Sequence, residues 1–96
     1  MDFSFKFLPI AEENIEEATD YYANISLKVL KNFNNQFDIT INKIVSNPYF
    51  QKRFKHIRAL RVKKFPYIIF YEINEEEKMI YILSVFCTHQ NPDKYP

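Results

Sequence analysis

Residues 65–86 read FPYIIFYEINEEEKMIYILSVF, two apolar runs separated by one short polar segment. The runs at 65–73 and 79–86 are rich in β-branched and aromatic residues, which favours strands. Because they are apolar almost throughout, we expect both strands to be covered on both faces and to lie centrally in a sheet. Residues 74–78 then form the turn between them. Pro66 belongs at a strand start or a bulge, because it cannot donate to the ladder.

Two further strands are expected outside this hairpin. Phe3, Phe5 and Phe7 recur at every second position, the period of a strand with one strongly buried face. Pro9 ends that strand, and residues 57–62 form another strand that carries two arginines. Together with the hairpin, these segments give a small sheet of four strands.

Two helices are expected between the first strand and Pro48. In each, apolar residues recur at spacings of three and four, which places them on one helical face. Ser26 is suited to cap the second helix, and Pro48 stops it after Asn47. The short break at Asn24 forces the helices into an antiparallel hairpin. The apolar faces consist of Ala11, Ile15, Ala18, Tyr22 and Ile25 in the first helix and Leu27, Leu30, Phe33, Phe37, Ile41 and Ile44 in the second.

The chain of 96 residues is expected to form a single domain, residues 1–96, of the α+β class. The predicted order is β-α-α-β-β-β, with the helical hairpin packed on one face of a small, mainly antiparallel four-stranded sheet. Because the two helices cover one face only, the tail, a loop or a partner protein must cover the other.

The chain contains no glycine, which excludes the phosphate-binding loops that depend on it. Positions with positive φ are therefore expected to fall on Asn or Asp, the residues that tolerate this region best after glycine. A compositional bias typical of AT-rich genomes is the alternative explanation of the missing glycine. The expected turn sites are Asn24, Asn47, Asn74 and Asn91.

Charge is unevenly distributed along the chain. Residues 1–48 carry four lysines and seven acidic residues, a net charge of −3, whereas residues 49–96 carry nine basic and five acidic residues, a net charge of +4. The thirteen residues 52–64, here called the basic window, contain no acid and would attract polyanions. A solvated face, or an edge strand protected by lysines, is the alternative interpretation. The cations of the window are Lys52, Arg53, Lys55, Arg58, Arg61, Lys63 and Lys64.

No metal site, cofactor or membrane partner is expected. The single cysteine, Cys87, cannot form an internal disulfide, and two histidines beside it do not supply a zinc cluster. No apolar run approaches the roughly 18 to 20 residues that cross a membrane, and the first residues do not form a signal peptide. A cytoplasmic protein is therefore expected. The glutamates at 75–77 are interpreted as a solvated turn and not as a carboxylate site.

Metal-free RNA cleavage is a chemistry for which the chain offers suitable residues. It needs a group that takes the 2′-hydroxyl proton, a group that protonates the leaving oxygen, and cations that stabilise charge on phosphate. His89 or Tyr95 would transfer protons, and Arg58, Arg61 or Lys63 would stabilise the charge. An ordinary surface histidine and a terminal aromatic docked on the core are the alternative interpretations of His89 and Tyr95.

One further pattern runs through nearly the whole chain. The acidic first helix contains Ala18 and the pair Tyr21 and Tyr22, and the second helix ends in Asn47 and Pro48. The most specific residues are Phe65, Pro66, Tyr67, Ile69, Tyr71 and Ile73, followed after the turn by Ile80, Ile82, Leu83, Val85, Asn91 and Pro92. In these residues and their order, the chain resembles the RelE/ParE superfamily of toxins from bacterial type II toxin–antitoxin systems.

The resemblance implies a small toxin that arrests growth until a co-expressed antitoxin wraps a flexible segment around it. ParE-like members inhibit DNA gyrase without catalytic residues of their own, whereas RelE-like members cleave mRNA on the ribosome. The expected partners are therefore an antitoxin and, as the target, either DNA gyrase or the ribosome with its mRNA. A module that binds an antitoxin but has lost toxicity is the third alternative.

The residues at the positions used by cleaving members favour the gyrase inhibitor. Cleaving members usually place an arginine where this chain has Ile68, another where it has Gln90, and a histidine where it has Cys87. Loss of an oriented cation from a phosphoryl-transfer site is costly, so Lys63, Lys64 or His89 would have to replace the missing groups. The helical hairpin and the basic window are the expected contact surfaces for gyrase.

Overall fold

The structure, a computed structural model, describes residues 3–50 and 52–89, and of residues 52–54 it describes the backbone only. The expected element order is confirmed, and a short edge strand is added inside the segment that precedes the third expected strand. The strands are β1 (Ser4–Phe7), β2 (Lys52–Phe54), β3 (Ile57–Arg61), β4 (Tyr67–Asn74) and β5 (Met79–Cys87), and the helices are α1 (Pro9–Ala23) and α2 (Leu27–Ser46).

The described strands form one mixed sheet in the order β1-β5-β4-β3-β2. β1 pairs with β5 in parallel, and the other neighbours are antiparallel. The hairpin of β4 and β5 thus lies centrally, as its continuous apolarity predicts. The register shifts between Phe70 and Tyr71, where a bulge in β5 leaves Leu83 without a paired residue in β4. Pro66 lies immediately before β4, at the expected strand start.

One face of the sheet packs against both helices and forms the main core. In β4 this face carries Tyr67, Ile69 and Tyr71, each at most 8% exposed. Rings from the helices meet this face, since the ring centroids of Phe33 in α2 and Tyr67 in β4 lie 5.5 Å apart, and Tyr22 of α1 stacks on Phe33 at 5.0 Å. Edge-to-face and stacked ring contacts of this kind stabilise the core by more than the burial of their apolar area alone. The aromatic cluster of this face consists of Phe7, Tyr22, Phe33, Phe37, Phe65 and Tyr67.

The opposite face of the hairpin is also buried where β4 and β5 are longest. Phe70 and Phe86 are 1% and 5% exposed, and their ring centroids lie 6.4 Å apart. Both point away from the helices, because they alternate with the core-facing residues of their strands. The prediction that these strands are covered on both faces is therefore confirmed at this point.

The helix ends follow the local signals in the sequence. Pro9 is the first residue of α1. A backbone N–H at this position has no partner within the helix, so the missing N–H of proline breaks no helical hydrogen bond. Ser26 caps α2, since its Oγ accepts a hydrogen bond from the Val29 backbone N–H at 3.1 Å. Asn24 and Asn47 are the C-cap residues, which confirms both boundaries. Neither described helix has the length and hydropathy required to cross a bilayer.

Three residues assigned to buried faces are instead exposed. Phe5 is 43% exposed, because β1 is the sheet edge and the ring of Phe5 contacts Phe7 at 5.5 Å while remaining open to solvent. Ile25 and Leu27 are 55% and 70% exposed. They flank the turn between the helices, where the apolar stripe extends past the sheet that would cover it. The predicted spacing of the apolar helix faces is correct, but the buried part of each face ends before Ile25 and begins after Leu27.

The expectation that Asn supplies the positive-φ positions is wrong. These positions fall on Lys55, Lys64 and Lys78, with φ of 52°, 73° and 54°. Each lies in a turn between consecutive strands, and all three lysines are exposed. A single left-handed residue of this kind costs about 1 to 2 kcal/mol. Asn24 and Asn47 have φ of −73° and −154°.

Asn74 serves its turn through its side chain and not through a left-handed backbone. Its Oδ1 accepts a hydrogen bond from the Glu77 backbone N–H at 3.0 Å, the geometry by which Asn mimics a backbone turn. The fourth expected turn residue, Asn91, lies outside the described residues.

Candidate functional site

The sheet separates the two described arginines of the basic window. Arg58 pairs with Tyr71 of β4, and Arg61 pairs with Ile68. Directly paired residues lie on the same face of a sheet. Arg58 therefore lies on the helix face with Tyr71, and Arg61 lies on the opposite face. Their spacing of three residues, an odd number, has this result in any regular strand.

Arg58 binds the chain segment that follows α2. Its Nη1 donates a hydrogen bond to the Phe50 carbonyl, and its guanidinium carbon lies 5.6 Å from the centroid of the Tyr49 ring. The adjacent Tyr71 hydroxyl donates to the Pro48 carbonyl at 2.9 Å. Two strand residues thus hold residues 48–50 against the sheet. In this arrangement Arg58 has a structural role in the described fold.

Acidic side chains surround that end of the sheet. The Tyr49 hydroxyl donates to Glu75 Oε1 at 2.9 Å, and His56 Nε2 lies 3.2 Å from Glu72 Oε2. The hydrogen bond to Glu75 is the largest cause that raises the pKa of Tyr49. Lys55 lies beside these groups in the turn between β2 and β3. The positive charge of this end is consequently mixed with carboxylates.

Lys63 and Lys64 lie at the other end of the sheet, in the turn between β3 and β4, and both are exposed. Arg61 ends β3 at the same side. Tyr71 and Tyr67 are four residues apart along β4, which corresponds to about 13 Å at the rise of a strand. The described cations of the basic window thus form two groups. The side chains of Lys52 and Arg53 lie outside what the structure describes.

A cleft of about 500 Å³ lies between α1 and the ends of β4 and β5, and it is here called the α1–β5 cleft. It opens on the helix side of the sheet, since Tyr67 and Val85 are core-facing residues in its floor. His89 stands at its mouth, exposed, in the turn that follows β5. The lining residues are Asn14, Glu17, Ala18, Tyr21, Tyr22, Ile25, Pro66, Tyr67, Val85, Cys87 and His89.

The polar groups at the floor of this cleft are held in their protonated forms. Burial is the largest cause that raises the pKa of Tyr67, and the neighbouring Cys87 and Tyr22 raise it further. Burial likewise raises the pKa of Tyr22. Both hydroxyls are therefore neutral at physiological pH. They can donate and accept hydrogen bonds, but they are unsuited to act as general bases.

The described candidates for RNA cleavage lie in different places. Arg58 and His89 are on the helix side at opposite ends of the sheet, and Arg61 faces the other side. Lys63 shares only the end of the sheet with His89. Tyr95 lies outside the described residues, so its role stays a prediction. The described residues contain no group of three or more His, Cys, Asp or Glu side chains placed to hold a metal ion.

The α1–β5 cleft is the feature that sequence reasoning missed. It depends on Asn14, whose Oδ1 accepts a hydrogen bond from the Val85 backbone N–H at 3.0 Å. Ala11 and Ala18, both nearly unexposed, bring the helix close to the strand. A signal was present in the small residues of the α1 stripe, which permit a close approach. The partner strand, however, lies far away in the sequence.

Comparison with known proteins gives one family. The family model described as "ParE toxin of type II toxin-antitoxin system, parDE" matches residues 5–92. A solved structure titled "Chromosomal ParDE TA system from P. aeruginosa" has the same fold, with a TM-score of 0.68 and 19% identity, over 86% of this chain and 92% of that one. No curated protein matches the sequence. Because the family match covers most of the chain, this protein belongs to the ParE toxin family of type II toxin–antitoxin systems.

Proposed function

We propose that this chain is a growth-arresting toxin that inhibits DNA gyrase and is neutralised by an antitoxin encoded with it. The observation that carries the proposal is the match to the ParE toxin family over residues 5–92. The description of that family names a type II toxin–antitoxin system, and the similar solved structure is titled as a ParDE system. An antitoxin partner follows from that membership, and gyrase is the target implied by the resemblance to ParE-like toxins.

The placement of the basic side chains supports an inhibitor that binds its target over a nuclease. Phosphoryl transfer needs cations and proton-transfer groups within hydrogen-bond distance of one phosphate. Arg58 instead uses its guanidinium on the Phe50 carbonyl, and Arg61 faces away from the side on which His89 lies. An inhibitor of gyrase needs no such convergence, because it acts by occupying a surface of the enzyme.

The surfaces we assign to gyrase are the basic window and the outer side of the helical hairpin. Lys63, Lys64 and Arg61 are exposed at one end of the sheet, where they would meet an acidic surface or the DNA bound to gyrase. On the hairpin, Ile39 of α2 is 41% exposed and supplies an apolar contact. The contacts of the three cations should weaken as salt is added, because exposed charges are screened within about 10 Å at ordinary ionic strength.

Controlled expression tests the proposal in cells. We expect growth to stop when the chain is expressed alone and to continue when the protein encoded beside it is expressed as well. During arrest, DNA breaks linked to gyrase should accumulate, and the 5′ ends of mRNA should remain unchanged. Codon-positioned mRNA cuts without gyrase-linked breaks would establish the ribonuclease alternative. Normal growth of the cells that express only this chain would contradict both toxin functions.

A double variant separates target binding from catalysis by the tail. We expect His89→Ala combined with Tyr95→Phe to remain fully toxic, because neither side chain has a chemical role in an inhibitor. Arg61→Glu combined with Lys64→Glu, which reverses two exposed charges of the basic window, should weaken toxicity. Loss of toxicity in the variant that combines His89→Ala with Tyr95→Phe would favour cleavage.

A further inference from the structure

We propose that a second copy of this chain binds along the open edge of β1, so that two β1 strands pair antiparallel and the two sheets become one continuous sheet. The proposed dimer does not depend on the toxin function, because the contacts that form it belong to β1 alone. The outer side of residues 3–7, which faces away from β5, is here called the β1 edge.

β1 has a neighbouring strand on one side only. It is the last strand of the sheet, and within residues 3–50 and 52–89 no strand lies on its other side. The Ser4 N–H donates to the Lys78 carbonyl and the Leu8 N–H donates to the Ile82 carbonyl, each at 3.0 Å. These bonds run toward β5 and thereby fix the directions in which the backbone groups of β1 point.

The backbone groups of three phenylalanines point outward at the β1 edge. In a trans peptide the N–H and the C=O point in opposite directions, so the carbonyls of Phe3 and Phe7 are directed away from β5. Direction alternates along a strand, so both backbone groups of Phe5 and the Phe7 N–H are directed outward as well. None of these groups has a backbone hydrogen-bond partner in the described part of the chain. Such a row of free donors and acceptors is a template for another strand.

The β1 edge is complementary to itself when a two-fold axis passes beside Phe5. In that register the Phe5 N–H of each copy donates to the Phe5 carbonyl of the other copy. The Phe7 N–H donates to the Phe3 carbonyl of the second copy, and symmetry repeats this bond. All of residues 3–7 are then paired, and every outward backbone group identified above has a partner.

The Phe5 side chain favours a second copy as the occupant of this edge. Its ring is 43% exposed and lies on the helix side of the sheet, where it contacts Phe7. Since this exposure leaves the middle of β1 uncovered by either helix, another strand can approach. In the symmetric register the two Phe5 rings face each other, because the Cα atoms of a hydrogen-bonded pair lie about 5.5 Å apart. Aromatic side chains directly opposite each other stabilise a pair of strands.

The charge of β1 is compatible with the same register. Lys6 and Ser4 are exposed on the side of the sheet opposite the helices, since they alternate with the phenylalanines. Lys6 of each copy then lies opposite Ser4 of the other copy, so no two lysines face each other. A shift by two residues toward Phe7 would place Lys6 opposite Lys6, which like-charge repulsion disfavours. Charge therefore favours the register centred on Phe5 over this alternative.

The mass of the chain, measured over a range of concentrations, tests the dimer. The paired segment is short compared with a standard interface of about 1,600 Å², so the dimer should form reversibly. In sedimentation equilibrium the mass of the full chain should rise from monomer to dimer between about 1 μM and about 1 mM. Phe5→Lys, which places two cations opposite each other, should raise the dissociation constant roughly tenfold or more. The matched control is Ile39→Lys, at a position of similar exposure, 41%, in α2, which should leave the constant unchanged.

Disulfide formation tests the register. The background is Cys87→Ser, which removes the single native thiol. In it, Phe5→Cys should give a disulfide-linked dimer when oxidised glutathione is added, because a separation of about 5.5 Å between Cα atoms suits a disulfide. Lys6→Cys is the control on the same strand. Its two Cα atoms would be diagonal neighbours about 7 to 8 Å apart, so it should cross-link much more slowly.

Amide hydrogen exchange locates the contact in the unmodified chain. The Phe5 and Phe7 amides should exchange freely in the dilute monomer and more slowly at concentrations where the mass is that of a dimer. The Lys6 amide, which faces β5, should be protected at both concentrations.

The results that would overturn the dimer leave the toxin function untouched. A monomeric mass up to about 1 mM would exclude the dimer. A dimer that Phe5→Lys does not weaken, or in which Lys6→Cys cross-links as readily as Phe5→Cys, would exclude the β1 edge in this register as the contact. A Phe5 amide already protected in the dilute monomer would mean that another segment of the chain covers the edge. Protection that appears only when the antitoxin is added would make the antitoxin the occupant, and both results would overturn the proposal.

Discussion

Removal of the Tyr71 hydroxyl should destabilise the fold by an amount that the structure defines. Tyr71 is fully buried, its hydroxyl donates to the Pro48 carbonyl at 2.9 Å, and its oxygen accepts a hydrogen bond from the Phe50 backbone. Tyr71→Phe keeps the ring, so no cavity forms, but both backbone groups lose a partner. An unsatisfied buried group costs about 1 to 3 kcal/mol. Since Phe50 is only half-buried and its backbone N–H regains water, the Pro48 carbonyl is the group left unsatisfied, and we expect a loss of about 2 kcal/mol, the middle of that range.

Urea unfolding followed by circular dichroism measures this loss. At a slope of about 1 to 3 kcal/mol per molar urea, the midpoint should fall by roughly 1 M or more while the slope stays constant. A loss of 1 kcal/mol lowers the Tm of such a domain by about 4 to 8 °C, so Tyr71→Phe should melt roughly 10 °C lower. The control is Tyr81→Phe, which removes a hydroxyl bonded at 2.6 Å to the exposed Glu77 and should leave the midpoint unchanged. Equal midpoints for Tyr71→Phe and wild type would refute the claim that residues 48–50 are anchored by this hydroxyl.

Three further predictions concern the elements that frame the cleft and the core. Asn14→Ala should cost about 1 to 2 kcal/mol and speed exchange of the Val85 amide, because it removes the acceptor at 3.0 Å; unchanged exchange at Val85 would contradict that bond. Ser26→Ala should cost about 1 kcal/mol through loss of the α2 cap, measured by urea unfolding against Ser46→Ala at the exposed helix end, where no loss is expected. Burial raises the pKa of Tyr67 above its ordinary value of about 10. The stability linked to its neutral form is therefore complete below about pH 10 and declines as the pH rises toward the folded-state pKa; in urea titrations Tyr67→Phe should flatten this decline, and an equally steep decline would contradict it.

The parts of the fold that the sequence predicts are those decided by neighbouring residues. The hairpin at 65–86 follows from two runs whose continuous apolarity leaves no face for water. Ser26 and Pro48 mark the ends of α2 through bonds and sterics within one turn of the helix. Each of these signals lies within a few positions of the structure it determines, and each was located correctly.

The parts that could not be predicted depend on residues distant in the sequence. Phe5 follows the alternation of a buried strand, but it is exposed because β1 lies at the edge of the sheet, a position set by its pairing with the distant β5. The left-handed positions fall on Lys64 and two other lysines. The pairing of the strands determines which turn residue must adopt positive φ, and at an exposed position the side chain itself gives no signal of this. The α1–β5 cleft arises where Asn14 meets Val85, 71 positions later, which no local pattern reports.

We propose that this member of the ParE toxin family acts by binding DNA gyrase. The most direct test of this proposal is a supercoiling assay in which purified gyrase, ATP and relaxed plasmid are titrated with the purified chain. We predict that the chain inhibits supercoiling and accumulates cleaved plasmid covalently bound to gyrase, and that prior addition of the antitoxin abolishes both effects. Full supercoiling activity and no cleaved plasmid at a large molar excess of the folded chain would contradict the claim.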